Sequence, residues 1–250
     1  YPDDQNLKLI NTIEEKIDSL KLTGLDNLII HKFDKNFSRL KSVNFIRDIL
    51  VEKLNMNYMI VGFDHQFGKN REGSFEDLIQ FSNLYDFKIE KIEAQLVEGV
   101  AISSTKIRKA IQAGEIVKAN SYLSSIYSIT ATVIKGNNIG NSIGFPTANL
   151  DVSNKWKIIP KNGVYFVSVL MQNRKYFGML NLGSRPTIAD STFVIEVHLF
   201  DFNKQIYNDI VKVNFLKRIR EEKKFLDLSK LKLQLKKDEI ECRSMIDNFC

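Results

Sequence analysis

Two hydrophobic rhythms divide the 250-residue chain. Up to Leu123, apolar residues in helical spacing alternate with short apolar or alternating runs; after Tyr127 the alternating runs dominate. Thr12-x-x-Glu15 is a capping box, in which each side chain accepts the other residue's backbone N–H, and it predicts a helix ending near Leu22. The short apolar run Asn27–Phe33 predicts a strand, and Val43–Leu54 has helical spacing. Tyr58–Val61 predicts a buried strand running into Gly62, Ser74-x-x-Asp77 starts a further helix, and Phe87–Ile92 alternates as a strand. Ser103–Ile111 and Ile116–Leu123 predict two helices, the first stopped by Gly114. Such alternation calls for a parallel sheet flanked by helices. Ser128–Ile134, Gly163–Met171, Lys175–Leu182, Thr192–Phe200 and Ile210–Phe215 then read as strands of an all-β domain, expected to close into a barrel because closure removes exposed edges. An amphipathic helix from Leu228 to about Ile246 is expected to lay Leu228, Leu231 and Leu235 on that barrel. The expected fold is α/β over residues 1–123 and a closed β-barrel with a C-terminal helix over 124–250.

Composition changes this picture little. Hydrophobic residues are 44% and charged residues 26%, as in ordinary globular domains. No apolar run is long enough to span a membrane, and the polar opening YPDDQNLKL does not look like a signal peptide. Two cysteines, Cys242 and Cys250, give neither a disulfide framework nor a metal cluster, so a cytoplasmic location is expected. The net charge of +6 raises the question of nucleic acid, but the basic residues are scattered among acidic ones, as in KDEIECR, so no nucleic-acid or membrane partner is expected.

The chemistry concentrates in KGNNIGNSIGFPTANL, Lys135–Leu150. Gly136, Gly140 and Gly144 recur every four residues, and such loops can turn their N–H groups toward phosphate oxygens, with Lys135 adding charge. Pro146 precedes Thr147 and Asn149, which an extended backbone places on one face. A hydroxyl and an amide oxygen are hard ligands suited to a hydrated Mg²⁺ carrying nucleotide phosphates, so these two are the candidate metal ligands of a Mg–ATP site. The Gly-Lys-Ser/Thr of a Walker loop is missing. Taken alone, the loop reads equally well as a hairpin connection. Glu196, in the apolar strand Phe193–Val197, is the candidate general base, though alone it reads better as a solvent-facing acid. Ser103–Arg108 puts hydroxyls at a helix start with a cation one turn on, which is an anion site or a plain N-cap. Gly62, Asp64, Phe67, Gly68 and Arg71 follow a strand, where an open parallel sheet builds its crevice for a flavin or nucleotide.

GFPTANL behind a Gly-rich loop resembles the riboflavin kinase signature, in which PTAN positions Mg–ATP. Gly163-Val164-Tyr165, Asn181–Thr187, Ile195–His198 and Arg220–Phe225 follow in that family's order. Upstream, Gly62–Gly68 and Ile102–Arg108 are similar to the later motifs of the FMN adenylyltransferase module fused before the kinase in bacterial bifunctional FAD synthetases. The resemblance covers essentially the whole chain. It implies ATP, riboflavin and FMN as small-molecule substrates or products and a Rossmann-like nucleotidyltransferase region in front. It implies Glu196 as the base for the ribityl 5′-hydroxyl, and Ser104, Thr105 and Arg108 as ATP-phosphate contacts. Asn181, Arg185 and Arg220 are suggested as flavin or loop contacts.

Two departures stand out: Gly140-Asn141 where the family has Gly-Arg, and Leu123-Ser124-Ser125-Ile126-Tyr127 where it has Leu-Gly-Arg-Pro-Tyr. The family's opening strand and two-histidine motif are absent; His31, His65 and His198 stand apart from one another. The expectation is therefore a chain whose front is missing and whose adenylyl transfer is weak. Competing readings are a catalytically inactive flavin-binding regulatory module and a basic nucleic-acid-binding barrel; the Thr147, Asn149 and Glu196 set argues against the first, and the PTAN loop would go unexplained in the second.

Overall fold

The computed structural model describes residues 8–97, 99–136, 139–186 and 191–249; for Ile139, Ser184, Arg185, Pro186, Ser191 and Thr192 it describes the backbone alone. Backbone packing divides the chain into two compact units, one of residues 25–102 and one of residues 1–24 with 103–250.

In the first unit a helical stretch runs from α2 (Ser42–Asn44) into a π-helical segment, Phe45–Val51. Strand β1 (Tyr58–Gly62) pairs in parallel with β2 (Lys88–Ile92), and α3 (Phe75–Tyr85) crosses between them, opened by the Ser74–Asp77 capping box. The core is Ile46, Val61, Phe67, Leu78 and Phe87. A small hairpin, β3 (Leu96–Val97) with β4 (Val100–Ala101), ends the unit. Two expectations fail here. Asn27–Phe33 forms no strand, and Leu28, Ile29, Ile30 and Phe33 are exposed. A run apolar on both faces is a strand only when neighbours pair with it and cover it, and no described residue does so. Strand β1 is present but not buried: Val61 alone of its residues is in the core.

The second unit opens with α1 (Ile13–Lys21), where the Thr12–Glu15 capping box is formed as expected. Helices α4 (Ser104–Ala113) and α5 (Ile116–Leu123) follow, with Gly114 left-handed at their junction. A closed antiparallel barrel comes next: β5 (Ser128–Ile134), β6 (Ala148–Asp151), β7 (Gly163–Met171), β8 (Arg174–Pro186), β9 (Ser191–Leu199) and β10 (Ile210–Arg220), in the spatial order β10-β5-β6-β9-β8-β7. Strand β6, carrying the PTAN segment, closes the ring between β5 and β9. A four-residue helix, α6 (Ile139–Ser142), sits in the glycine loop. The C-terminal helix α7 runs from Leu228 to Arg243 and is followed by a 3₁₀ turn, Ile246–Phe249. Leu231, Asp238 and Cys242 line its inner face with Leu235, at helical spacing. Leu228 differs from expectation: as the first helical residue it stays half exposed.

Residues 8–24 are fastened to this unit. Lys157 is buried and donates to the carboxylate of Glu15 at 2.5 Å and to the Ile10 carbonyl at 2.6 Å. Its ammonium lies 4.7 Å from the Tyr127 ring centre. Burial pulls its pKa below the ordinary lysine value, against the opposing pull of Glu15.

Candidate active site

Barrel register brings the chemistry into a row. Ile134 on β5 pairs with Asn149 on β6, Asn149 with Glu196 on β9, Glu196 with Asn181 on β8, Asn181 with Val164 on β7, and Val164 with Arg220 on β10. Cross-strand partners project from the same face of a sheet. Asn149, Glu196 and Asn181 therefore stand side by side on three adjacent strands. Theirs is the outer face, because Val164 clusters with Phe166, Met179 and Leu216 against Leu231 and Leu235 of α7, and a barrel this small holds only side chains inside.

A cavity of about 870 Å³ opens over this face. Its lining mixes apolar Phe145, Val164, Met179 and Leu231 with polar Thr147, Asn181 and Glu196. The segment Glu222–Leu228 forms a further wall. Such a volume with a few converging polar groups suits an aromatic ligand with a polar tail.

The three glycines are required for different reasons. A Cβ on Gly136 would lie 1.8 Å from Nδ2 of Asn149, and one on Gly140 would lie 2.1 Å from the Phe145 carbonyl oxygen and 3.4 Å from Oγ1 of Thr147. Gly144 turns with φ +83°. Gly136 is thus pressed onto Asn149 and Gly140 onto the Phe145 carbonyl beside Thr147, and the Phe145 N–H donates back to the Gly140 carbonyl at 2.9 Å. Asn149 is buried and Thr147 half-buried.

The far wall is held by Arg220, whose guanidinium reaches both carboxylate oxygens of buried Asp238 at 2.7–3.0 Å, while Gln234 donates to the same carboxylate at 2.8 Å. Arg220 lines the cavity but ties β10 to α7. Cys242 lies one turn beyond Asp238; burial, with Asp238 and Glu241 adding, pushes its thiol up to about 12. On barrel strand β7, burial also raises Tyr165, whose hydroxyl donates to the Lys161 carbonyl.

The kinase-side candidates are brought together: Gly136 against Asn149, Gly140 beside Thr147, and Asn149 in register with Glu196. The upstream candidates fall in separate units. In the first unit Phe67 is a core side chain and its ring fills the space a side chain at Gly73 would take, while Asp64 and Arg71 are exposed. Gly68 has φ +75° and leaves no room for a Cβ against Ser42. In the second unit Ser103 caps α4, Ser104 and Thr105 are exposed in its first turn, and Arg108 donates to the Lys8 carbonyl at 2.7 Å. The side chain of Arg185, and Thr187, lie outside the described residues. Sequence reasoning missed Asp238 and His198. An acid on the apolar stripe of α7 was a readable signal, as was a histidine two residues from Glu196 and so on its face of β9.

The donor set fits a metal that arrives with its nucleotide. Thr147 and Asn149 would supply two neutral oxygens, and no group of three or more His, Cys, Asp or Glu residues that could hold a metal exists among the described residues. Mg²⁺ usually keeps waters and substrate phosphates as its remaining ligands.

A closed six-stranded barrel with this loop is of the riboflavin kinase type, and the region before it is nucleotidyltransferase-like α/β. Profiles described as riboflavin kinase and FAD synthetase match residues 123–246 and 1–106. The bifunctional riboflavin kinase/FMN adenylyltransferase of Buchnera aphidicola subsp. Schizaphis graminum is 38% identical over 92% of this chain and 75% of its own length. That of Escherichia coli is 36% identical, over 94% and 74%. A crystal structure from Streptococcus pneumoniae, described as a macrolide-efflux protein, superposes with a TM-score of 0.85 at 34% identity, covering 94% of this chain and 75% of that one. The chain belongs to the bifunctional riboflavin kinase/FMN adenylyltransferase family. Among the described residues no helix is long and apolar enough to cross a membrane.

Proposed function

We propose that this chain transfers the γ-phosphoryl group of ATP to the 5′-hydroxyl of riboflavin, giving FMN, in a family whose members go on to adenylylate FMN to FAD. The observation that carries this reading is the Asn149–Glu196–Asn181 register, in which Glu196 and Asn181 line the cavity with Thr147 while buried Asn149 lies against Gly136 of the glycine loop. Phosphoryl transfer needs positioned phosphates, charge neutralisation and an oriented nucleophile. Gly136, Gly140 and Gly144 shape the phosphate seat, and Thr147 and Asn149 would hold Mg²⁺, which supplies charge neutralisation when bound. Glu196 accepts the proton of the attacking hydroxyl, and the apolar wall takes the flavin ring. The kinase module is residues 124–250.

The adenylyltransferase module is residues 1–123; Gly62, Asp64, Gly68 and Arg71 in one unit and, separately, Ser104, Thr105 and Arg108 in the other are proposed for ligand contacts. Phe67, a core residue, would support the first of these groups through packing. A cytoplasmic protein acting on small molecules, without nucleic acid, is the accompanying proposal. The test is incubation with riboflavin and ATP, with and without Mg²⁺, resolving flavins by chromatography. Mg²⁺-dependent formation of FMN is expected. Binding of riboflavin without FMN would favour a regulatory flavin-binding module instead.

A further inference from the structure

Phe145-Pro146-Thr147 lies where the β6–β9 ladder stops. Its pairs are Asn149–Glu196 and Ala148–Val197; continued one step further, that register would set Thr147 opposite His198. The backbone cannot carry the ladder through Pro146, which has no N–H. A side chain takes over: Nδ1 of His198 lies 2.7 Å from the Pro146 carbonyl oxygen. A carbonyl only accepts, so Nδ1 carries the proton and donates. The ring is steadied edge-to-face against Phe145 at 5.3 Å and Phe200 at 5.9 Å between centroids. Phe145 is buried, and His198 itself lines the cavity. His198 thus fastens the carbonyl immediately before Thr147, on the strand face that presents Glu196 two residues away.

We propose that His198 is a positioning residue for the nucleotide arm of the site: by holding the Pro146 carbonyl it fixes the direction of the Thr147 hydroxyl and the seat of the nucleotide phosphates. The proposal rests on the reading of this cavity as a phosphoryl-transfer site. The donor alone separates the two substrates: the hydrogen bond lies on the Pro146–Thr147 peptide, whereas the ring's packing on Phe145 and Phe200, part of the apolar cluster against α7, is retained by a phenylalanine ring.

The test compares His198→Phe, which keeps a ring and loses the donor, with His198→Asn, whose amide nitrogen falls near the Nδ1 position. Binding of ADP with Mg²⁺ is measured by calorimetry, riboflavin binding by fluorescence quenching, and KM and kcat by FMN formation. Loss of one hydrogen bond predicts about a tenfold weaker ADP complex and a raised KM for ATP in His198→Phe, with riboflavin binding within about twofold of the parent. His198→Asn should restore ADP binding to within about threefold. Unchanged ADP binding in His198→Phe, equal losses for both ligands, or failure of Asn to restore would overturn the proposal. Should His198→Phe not fold, His198→Gln replaces it: its amide reaches the Nε2 position, so Gln must weaken ADP binding while Asn keeps it, and equal behaviour of the two overturns the proposal. A parent protein that binds both ligands yet makes no FMN would defeat the kinase reading, while the binding comparison still decides the role of His198.

Discussion

A methyl group at Gly136 has no place to go: the Cβ position is 1.8 Å from the Asn149 amide, on a strand fixed between β5 and β9. Gly136→Ala is therefore expected to displace the loop or the amide, raising the KM for ATP by about tenfold or more while riboflavin binding is kept, since a shift of an ångström in a positioning group has that effect. Steady-state kinetics with each substrate varied in turn checks this; an unchanged KM for ATP would contradict it. At this scale the sequence was informative about the loop. Two-residue spacing put Thr147 and Asn149 on one face, and an acid within Phe193–Val197 marked Glu196 as unusual. Placing Asn181 beside Glu196 needed the β8–β9 register, a tertiary fact that no local spacing contains. The partner of Arg220 was hidden for the same reason, because Asp238 follows it by 18 residues on another element.

Helix α7 is held by the buried Arg220–Asp238 pair, a more exposed Arg243–Asp201 pair and one apolar stripe. Asp238→Ala would leave Arg220 largely buried without its partner and is expected to lower stability by about 3 kcal/mol. Urea unfolding measures this, and a loss below about 1 kcal/mol would mean that Gln234 and solvent replace the contact. The neighbouring thiol gives the helix a pH dependence. An unfolded cysteine titrates near 8.5, whereas folded Cys242 holds its proton to about 12. Between these values the folded state binds more protons, so the stabilising contribution is complete below about pH 8.5 and is lost as pH rises toward 12. Denaturant titrations from pH 8 to 11 should show falling stability, with a shallower fall in Cys242→Ala; identical slopes would contradict the assignment. Most elements were legible because each carries its own period and a start or stop signal, Ser74 opening α3 and Gly114 ending α4. Asn27–Phe33 was misread because an apolar run encodes the need for partners without supplying them.

At the scale of the barrel unit, residues 8–12 and helix α1 belong physically to it, clasped through the buried Lys157–Glu15 pair. Removing one partner leaves a buried charge, so Glu15→Ala is expected to destabilise that unit by about 3 kcal/mol, whereas Glu15→Leu with Lys157→Met should recover most of the loss. Unfolding followed by circular dichroism checks both, and a single variant as stable as the parent would contradict the clasp. The central claim concerns the barrel face: that Glu196, flanked by Asn149 and Asn181, accepts the proton from the attacking hydroxyl. The most direct measurement is single-turnover formation of FMN from riboflavin and Mg–ATP by Glu196→Gln beside the parent protein, with riboflavin affinity and unfolding recorded on the same samples. The account predicts a rate lower by about two orders of magnitude or more, with binding and stability little changed. A near-normal rate in a folded, riboflavin-binding variant would contradict it.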